Sequence, residues 1–398
     1  GPGRLRRQSR GRRRPGDGSL GLEHRPVHGH FSRLTRGKTS SGGSTEWRAE
    51  VVPAVWFLTR TTDCRIFQEK SVPEIVAAIL DLHGVTDYED RTTGSYEKLE
   101  YCVQYRETAL NFISRLMEQA GIFYWHTHEE GKHKFVFSDD NNNVPAADWP
   151  SLPTDPRPGS AGIRRLDEEV VMRSGKWSLR DFNFETPDDM MEVNAPTMLN
   201  VEQMSSRELY DYPGLYKDKG AGRGVADLQM KQEEAQYLLL HGESNVAGMN
   251  AGLRFQSDDP NLGAKELLLT EVRHEAEDYS HWTAQDWGKR EPTDPFYKNE
   301  FVCIPKKTPF RAERVTRKPF VQGPQTAIVT GPSGEEIHTD KYGRVKVKFH
   351  WDRDPANDET TSCWIRVSQG WAGQSWGQVH LPRIGHEVIV DFLEGDPD

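Results

Sequence analysis

The last sixty residues decide the fold, and residues 339–398 read TDKYGRVKVKFHWDRDPANDETTSCWIRVSQGWAGQSWGQVHLPRIGHEVIVDFLEGDPD. Apolar residues alternate with polar ones in three short runs, 345–351, 363–367 and 387–393, as they do in strands with one buried face. Glycines and prolines separate these runs at strand-like spacing. The pattern predicts a small closed or nearly closed β-barrel.

The same stretch resembles the OB-fold domain of the VgrG family, the spike (tip) proteins of bacterial type VI secretion systems, which are related to contractile-phage hub and spike proteins. The resemblance is carried by KYGRVKVKFHWDRD (341–354), SCWIRVSQGWAGQSWG (362–377) and LPRIGHEVIVDFLEGDPD (381–398). In that family the barrel joins a trimeric hub domain to a long trimeric β-helical needle.

Three segments of the first third of the chain resemble the VgrG hub domain. They read VHGHFSRL (27–34), WRAEVVPAVWFLTRTTDCRIFQEKSVPEIVAAIL (47–80) and YCVQYRETALNFISRLMEQAGIFYWHTH (101–128). The fold class is therefore predicted as mainly β with a few helices (α+β), with phage-hub-like β-barrel domains followed by an OB-fold barrel.

Local patterns predict individual elements without the resemblance. Ser71 and Glu74 form the sequence pattern of a capping box for a helix that ends at Gly84, and Thr108 is placed to cap a helix that ends at Gly121. A third helix is predicted over 226–241. Strands are predicted over 47–58, 101–105, 170–173, 178–184, 267–272 and 300–305, and a hairpin over 122–126 and 134–137.

The domain prediction has three parts. Residues 1–26 form a disordered, Arg-rich leader because almost no apolar residue is available for a core. Residues 27–310 form a hub-like domain of two β-barrel subdomains with the N-terminal strands missing. Residues 311–398 form the OB-fold spike domain, and the needle that follows it in the family is absent. We therefore expect a VgrG chain truncated at both ends.

Composition excludes several classes of protein. Eleven Trp and sixteen Phe in 398 residues argue against wholesale disorder, although hydrophobic content is only 35%. Residues 1–38 carry a net charge of +9 while the whole chain carries −10, so the remainder is acidic and poorly suited to non-specific nucleic-acid binding. The four cysteines form no Cys-x-x-Cys pair, which argues against a zinc site or a disulfide scaffold. No apolar run reaches the length of a membrane span, and the first residues lack the apolar segment that is typical of a signal peptide.

No catalytic motif is complete. Gly37-Lys38-Thr39 resembles the end of a phosphate loop but lacks its first glycine, and the glycines of 220–224 lack dinucleotide-binding spacing and indicate a flexible loop. His274-Glu275 and His386-Glu387 have no second histidine at metalloprotease spacing. We expect no catalytic residue, no cofactor, no metal site, no small-molecule substrate and no enzyme activity.

Two clusters of metal-ligating residue types remain. Strand alternation places His126 and His128 on one face, and the hairpin can bring His133 near them, which is a plausible transition-metal trio. We interpret the trio instead as a solvated hairpin tip.

The second cluster, Asp352, Asp354 and Asp358, could bind a hard cation. A turn is the preferred interpretation, because Pro355 and Asn357 are turn-forming residues.

Many OB-folds bind single-stranded nucleic acid through basic grooves and aromatic platforms. The final domain offers Trp351, Trp364, Trp371, Trp376, Lys346, Lys348 and Arg366. Alternation, however, directs Trp351 into the core, and nucleic-acid binding is therefore the less favoured hypothesis.

The resemblance implies a structural component of the type VI spike: a homotrimer that caps the tube ring of Hcp protein, punctures target membranes and carries effectors, with a PAAR protein at the needle tip. It also implies assembly in the cytoplasm and secretion by the type VI machine without a signal peptide. Two alternatives stay open, a fragment of a phage-spike-type cell-wall hydrolase and an OB-fold nucleic-acid binder.

Overall fold

A computed structural model describes residues 26–39, 43, 45–147, 149, 151–154, 156–157, 160–259, 261–262, 265–277 and 296–398. The predicted Arg-rich leader, apart from Pro26, lies outside the described residues. No helix in these described ranges is both long enough and apolar enough to span a membrane.

The strands in chain order are β1 (His30–Thr39), β2 (Thr45–Val52), β3 (Thr62–Phe67), β4 (Tyr88–Asp90), β5 (Cys102–Thr108), β6 (Phe123–Glu129), β7 (Lys132–Ser138), β8 (Ile163–Val170), β9 (Lys176–Leu179), β10 (Val193–Pro196), β11 (Glu208–Asp211), β12 (Leu238–Ser244), β13 (Arg254–Ser257), β14 (Lys265–Glu277), β15 (Phe296–Pro305), β16 (Gln325–Thr330), β17 (Lys346–Phe349), β18 (Ala372–Gly373), β19 (Trp376–Gly377) and β20 (Glu387–Val390). The α-helices are α1 (Val72–Leu82), α2 (Ala109–Ala120), α3 (Glu202–Ser205) and α4 (Lys219–Ala235), and 3-10 helices span Ala54–Arg60, Asn141–Asn143 and Leu393–Gly395.

The described chain is mainly β with a few helices, as predicted, and it divides into two compact units. Unit 1 comprises the described residues within 26–54, 87–93 and 121–313, and unit 2 comprises residues 55–86, 94–120 and 314–398. The division into domains at 27–310 and 311–398 was made from sequence resemblance and stays a prediction.

The largest sheet of unit 1 has five antiparallel strands in the order β13-β14-β15-β12-β8. Its core contains Leu240, Phe255, Leu267 and Phe301, all almost fully buried. Gly242 faces Phe301 across the β12–β15 pair, and a Cβ atom at Gly242 would lie 2.1 Å from Phe301 Cζ. Only glycine lets the aromatic ring lie this close to the neighbouring strand.

A smaller part of unit 1 packs α4 against a three-stranded sheet in the order β10-β9-β11. The Asp218 carboxylate begins α4 by accepting hydrogen bonds from the N–H groups of Gly220 and Ala221, at 2.7 and 3.0 Å. The predicted flexible loop at 220–224 is therefore wrong, because these glycines lie within the first turns of a capped helix. The helix predicted over 226–241 ends at Ala235 instead, because residues 238–241 pair in the five-stranded sheet.

The other strands of unit 1 form the sheet β4-β7-β6 and the two-stranded β1–β2 arm. The predicted strand over 47–58 continues only to Val52, because Pro53 has no N–H to extend the ladder and a 3-10 helix follows. Residues 37–39 lie in β1 rather than in a loop, so they form no phosphate-binding turn. The strands predicted over 170–173 and 178–184 are also displaced, since β8 ends at Val170 and β9 ends at Leu179.

The helical part of unit 2 matches the sequence patterns. The Ser71 N–H donates to the Glu74 carboxylate at 2.7 Å, and the Asn111 N–H donates to Thr108 Oγ1 at 3.2 Å, so both predicted N-caps are present. Apolar stripes of the two helices are buried, and α1 and α2 lie in this unit with the antiparallel β3–β5 pair.

The remainder of unit 2 contains the antiparallel sheet β17-β16-β20 and the short β18–β19 hairpin. The predicted strand 345–351 is shortened to Lys346–Phe349, and the run 363–367 contributes one bridge, between Ile365 and Val345, rather than a strand. The buried face that alternation predicts for this strand is present, because Val345, Val347 and Phe349 belong to one buried core.

Candidate functional site

Five histidines lie together in unit 1. His126 and His128 share one face of β6, as alternation predicted, and His133 on β7 is the cross-strand partner of His128. His28 and His30 complete the group from the beginning of the β1–β2 arm. The ring of His133 lies 5.0 Å from that of His28, 5.7 Å from that of His30, 6.0 Å from that of His128 and 6.2 Å from that of His126, centre to centre. We call these five residues the histidine cluster.

The histidine cluster is not a solvated hairpin tip. The tip is formed by residues 129–132, and His133 beyond it is only 7% exposed. Burial lowers the pKa of His126 from 6.5 to about 4, with a smaller contribution from His128 and His133. Burial and the neighbouring imidazoles likewise lower the pKa of His133 to about 4. Both rings are therefore neutral at pH 7.

The metal-binding alternative gains no support from the geometry. Among the described residues, no three or more His, Cys, Asp or Glu side chains are arranged to hold a metal ion. Two ring nitrogens of the histidine cluster, Nδ1 of His28 and Nδ1 of His133, are 2.7 Å apart, which is a hydrogen-bond distance. His28 and His133 are therefore a hydrogen-bonded pair of imidazoles.

The acidic run of unit 2 forms turns, as we interpreted it. Asp352 is paired with Lys348 at 2.6 Å and also accepts the Asp354 N–H at 3.0 Å. The Asp358 carboxylate accepts the hydroxyl and the N–H of Thr360, and these hydrogen bonds lower its pKa. The Asp354 carboxylate accepts the Ala356 N–H at 2.9 Å, so each of the three carboxylates has a partner within the turns.

Three of the aromatic and basic residues that could form a nucleic-acid platform, Trp351, Lys346 and Lys348, have partners within the chain. Trp351 stacks on Phe349 with ring centres 5.0 Å apart, and its Nε1–H donates to Gln325 at 2.8 Å, so it belongs to the core region. Lys346 donates to the carbonyl of Glu359 at 2.6 Å. With Lys348 paired to a carboxylate, these ammonium groups already have partners within the chain.

Trp371 and Trp376 behave differently from Trp351. Trp371 precedes β18 and Trp376 begins β19; the two rings contact each other edge to face at 5.5 Å and remain 64% and 58% exposed. Ile389 on β20 and Leu393 are also exposed, at 76% and 85%. Large exposed apolar side chains of this kind mark surfaces that pack against another protein.

Sequence reasoning missed a buried ionic cluster in unit 2. Arg115, 2% exposed, lies 2.9 Å from a Glu107 carboxylate oxygen and donates to the carbonyl of Val103 at 2.8 Å. Its Nη1 lies 3.6 Å from the Asp398 carboxylate, which also pairs with Lys318 at 2.9 Å. The residues come from β5, α2 and the end of the chain, and no local sequence pattern links them.

The histidines of the two His-Glu dipeptides, His274-Glu275 and His386-Glu387, form hydrogen bonds within the fold. His274 Nδ1 is 2.7 Å from the hydroxyl of Tyr297 on the neighbouring strand, and His386 lies in a turn where its N–H donates to the carbonyl of Arg383. In the described ranges, neither histidine belongs to a group of three or more His, Cys, Asp or Glu side chains that could hold a metal ion.

Comparisons with known proteins agree with this architecture. Residues 12–280 match the phage tail baseplate hub (GPD) family, and residues 326–398 match the type VI secretion system/phage-baseplate injector OB domain. The E. coli c3393 protein, a type VI secretion component with structural similarity to the T4 phage tail proteins gp27 and gp5, superposes with a TM-score of 0.65 at 21% identity. The superposition covers 95% of this chain and 83% of that one. It supports the predicted fold class of hub followed by OB-fold.

Curated relatives are closer in sequence. The type VI secretion system spike proteins VgrG1c and VgrG1a of Pseudomonas aeruginosa are each 40% identical over 96% of this chain, and the match covers 53% and 60% of those proteins. The actin cross-linking toxin VgrG1 of Vibrio cholerae is 35% identical over 94% of this chain and 34% of its own length. The chain thus spans about half the length of the two spike proteins.

The hub match extends over more than half of the chain, so the fold and the comparisons together define a phage-tail-type hub joined to an injector OB domain. The chain belongs to the phage tail baseplate hub (GPD) family, and it is similar to the VgrG spike proteins over 96% of its length. The resemblance stated from the sequence is confirmed.

Proposed function

We propose that this chain supplies the hub and OB-fold portion of a trimeric type VI secretion spike and catalyses no reaction itself. The observation that carries the proposal is the succession of hub and OB-type matches along one chain, together with 40% identity to two spike proteins over 96% of its length. Such a protein acts mechanically, by coupling a threefold spike to a tube.

The exposed tryptophans and β20 side chains support a threefold assembly. A closed ring of three subunits needs two complementary patches on each chain, and their centres are typically apolar. Trp371, Trp376, Ile389 and Leu393 are apolar, exposed, and contributed by the part of unit 2 that matches the injector OB domain. Burying them against neighbouring copies would remove their apolar surface from water.

The partners follow from the same assignment. We propose that the hub docks on the ring of Hcp protein, and that effectors and a PAAR protein are carried through the spike of which this chain is a part. A relative named as an actin cross-linking toxin is consistent with a spike that carries toxic cargo. We also propose cytoplasmic assembly followed by export through the type VI machine.

The test is binding to a purified tube ring. The chain would be fused after Asp398 to a trimeric coiled coil, because the coiled coil supplies the threefold symmetry that a longer spike would impose. We expect native mass spectrometry to detect one trimer bound per Hcp ring, and the coiled coil alone to bind none. Failure of a folded trimeric fusion to bind any ring would contradict the tube-capping role.

A further inference from the structure

The histidine cluster joins the beginning and end of the β1–β2 arm to the β6–β7 hairpin. His28 precedes β1 and Ala54 follows β2, so the two residues mark the base of the arm. Both bond to the hairpin: the Ala54 N–H donates to His133 Nε2 at 2.8 Å, and the His28 N–H donates to His128 Nδ1 at 3.3 Å. Most other residues of the arm are exposed, so these contacts at its base hold it in place.

The hydrogen bonds fix the protonation state of His133 and His28. His133 Nε2 accepts the Ala54 N–H, so a neutral His133 carries its proton on Nδ1. That proton points at His28 Nδ1, 2.7 Å away, which must therefore be an acceptor. His128 Nδ1 is also an acceptor, and its proton is on Nε2. The network is complete only when these three rings are neutral.

Protonation breaks the network at defined atoms. A proton added to His133 Nε2 removes the acceptor of the Ala54 N–H. A proton added to His28 Nδ1 places two N–H groups against each other across 2.7 Å. Any charged ring would also face neighbouring imidazoles at 5.0–6.5 Å between centres, in a site where water screens poorly.

Gly29 allows the segment that carries His28 and His30 to lie close to the end of β2. A Cβ atom at this position would lie 2.6 Å from Val51 Cγ1 and 2.9 Å from the carbonyl oxygen of Val52, so His28 and His30 flank a residue with no room for a side chain. The two histidines are thereby held against the end of β2, where the arm meets the hairpin.

We propose that the histidine cluster is an acid-sensitive latch, which holds the base of the β1–β2 arm on the β6–β7 hairpin at neutral pH and releases the arm when the imidazoles are protonated. The groups facing His133 are His28 and His30 from the arm, His128 from β6 and Asp87 from the segment before β4. Asp87 alone favours the charged ring, and it is outweighed by burial and three imidazoles. His126 faces His128 and His133.

The sign of the pH effect follows from the low pKa values. His133 has a pKa of about 4 in the folded chain, partly because of His28 and His30 on the arm, and 6.5 as a free side chain, so below pH 6.5 the opened arm binds a proton that the closed arm does not. The latch is therefore fully closed above about pH 6.5 and weakens as the pH falls toward 4. The Glu89 carboxylate on β4 has a pKa of about 2 because of hydrogen bonds from Arg91 and Lys134, so it stays ionised throughout this window.

Hydrogen exchange of the full chain tests the latch at pH 7.5 and 5.0, with exchange times scaled for the base-catalysed intrinsic rate. Peptides spanning residues 28–39 and 45–54 should lose protection about tenfold or more at pH 5.0, which is the linkage expected from one histidine shifted by this amount. Peptides of β12 should keep their protection. Equal protection of the arm at both pH values in the wild-type chain would overturn the proposal.

Variants separate the latch from general acid sensitivity. His133→Gln offers an amide oxygen to the Ala54 N–H but cannot titrate, and His28→Gln removes the arm imidazole whose Nδ1 lies 2.7 Å from His133 Nδ1. Either variant that is folded at pH 7.5 should show a smaller pH effect in the arm. The matched control is His241→Gln, which removes a unit 1 histidine paired with Glu169 and should behave as wild type. A full pH effect in both cluster variants would contradict the latch.

Discussion

At the scale of single residues, the guanidinium of Arg115 has more consequence for stability than any exposed ion pair. It is buried with the Glu107 and Asp398 carboxylates, and its removal leaves Glu107 without a cation. We expect Arg115→Met to lower the free energy of unfolding of unit 2 by about 3–5 kcal/mol, the cost of breaking a buried pair from one side. Urea unfolding followed by tryptophan fluorescence measures the change.

Two further variants test whether the loss comes from breaking a buried ion pair. Arg353→Met removes an 82% exposed guanidinium that lies 3.5 Å from Asp63, and an exposed pair contributes at most about 1 kcal/mol. Adding Glu107→Gln to Arg115→Met should recover part of the loss, because the uncompensated charge is gone. A loss below about 1 kcal/mol for Arg115→Met would show that the cluster stabilises little.

The thiols give a second prediction at this scale. Cys102 and Cys303 are 1% and 0% exposed, and burial raises the pKa of both thiols, so neither thiolate forms readily in the folded chain. Burial also raises the pKa of Cys363, to about 11. Titration with a disulfide reagent at pH 8 should label Cys102 and Cys303 only after denaturation. Rapid labelling of all four thiols in the native chain would contradict the burial.

At the scale of elements, the close contact between β12 and β15 depends on one glycine. Gly242→Ala places a methyl group against the ring of Phe301, and we expect overpacking to cost about 1–3 kcal/mol. The control is Gly224→Ala in α4, where a Cβ atom meets nothing within 4 Å and alanine should stabilise the helix by about 0.5–1 kcal/mol. Thermal unfolding should show a lower midpoint temperature for Gly242→Ala and a higher one for Gly224→Ala. A shift of the same sign in both variants would contradict the close packing of Gly242 against Phe301.

Elements defined by local chemistry were predictable from the sequence. The caps at Ser71 and Thr108 and the β6–β7 hairpin were recognised, because each depends on residues within a few positions of one another. The limits of α4 were not, since the leucines that follow it fit either a helix or a strand until the pairing of β12 with β8 and β15 is known. The apolar run at 363–367 likewise has only the single bridge at Ile365.

Clusters assembled from distant segments could be predicted only in part. Three of the five clustered histidines lie on one hairpin and were grouped by alternation, but His28 and His30 are about a hundred positions away and were missed. Because His28 and His30 pack against the hairpin histidines, the region that the sequence predicts to be a solvated tip forms a partly buried cluster. The Arg115 cluster was missed for the same reason, because its carboxylates and ammonium group meet through the fold alone.

At the scale of the whole molecule, the exposed tryptophans should decide association between subunits. We expect the double variant Trp371→Ser/Trp376→Ser to weaken trimer formation at least tenfold by sedimentation equilibrium in the untagged chain, because two exposed indoles would no longer be buried between copies. Val315→Ser, at a position 70% exposed in the same unit but outside the hairpin, should change it little. Equal association of the two variants would contradict an interface at this hairpin.

The central claim is that the OB-type portion is a joint between threefold-related copies of the chain. Cryo-electron microscopy of the chain fused after Asp398 to a trimeric coiled coil tests it most directly. The account predicts a single threefold-symmetric particle in which the region of residues 326–398 packs around the axis and the hub portions close into a ring above it. Three separate copies that move independently on the coiled coil would contradict the claim.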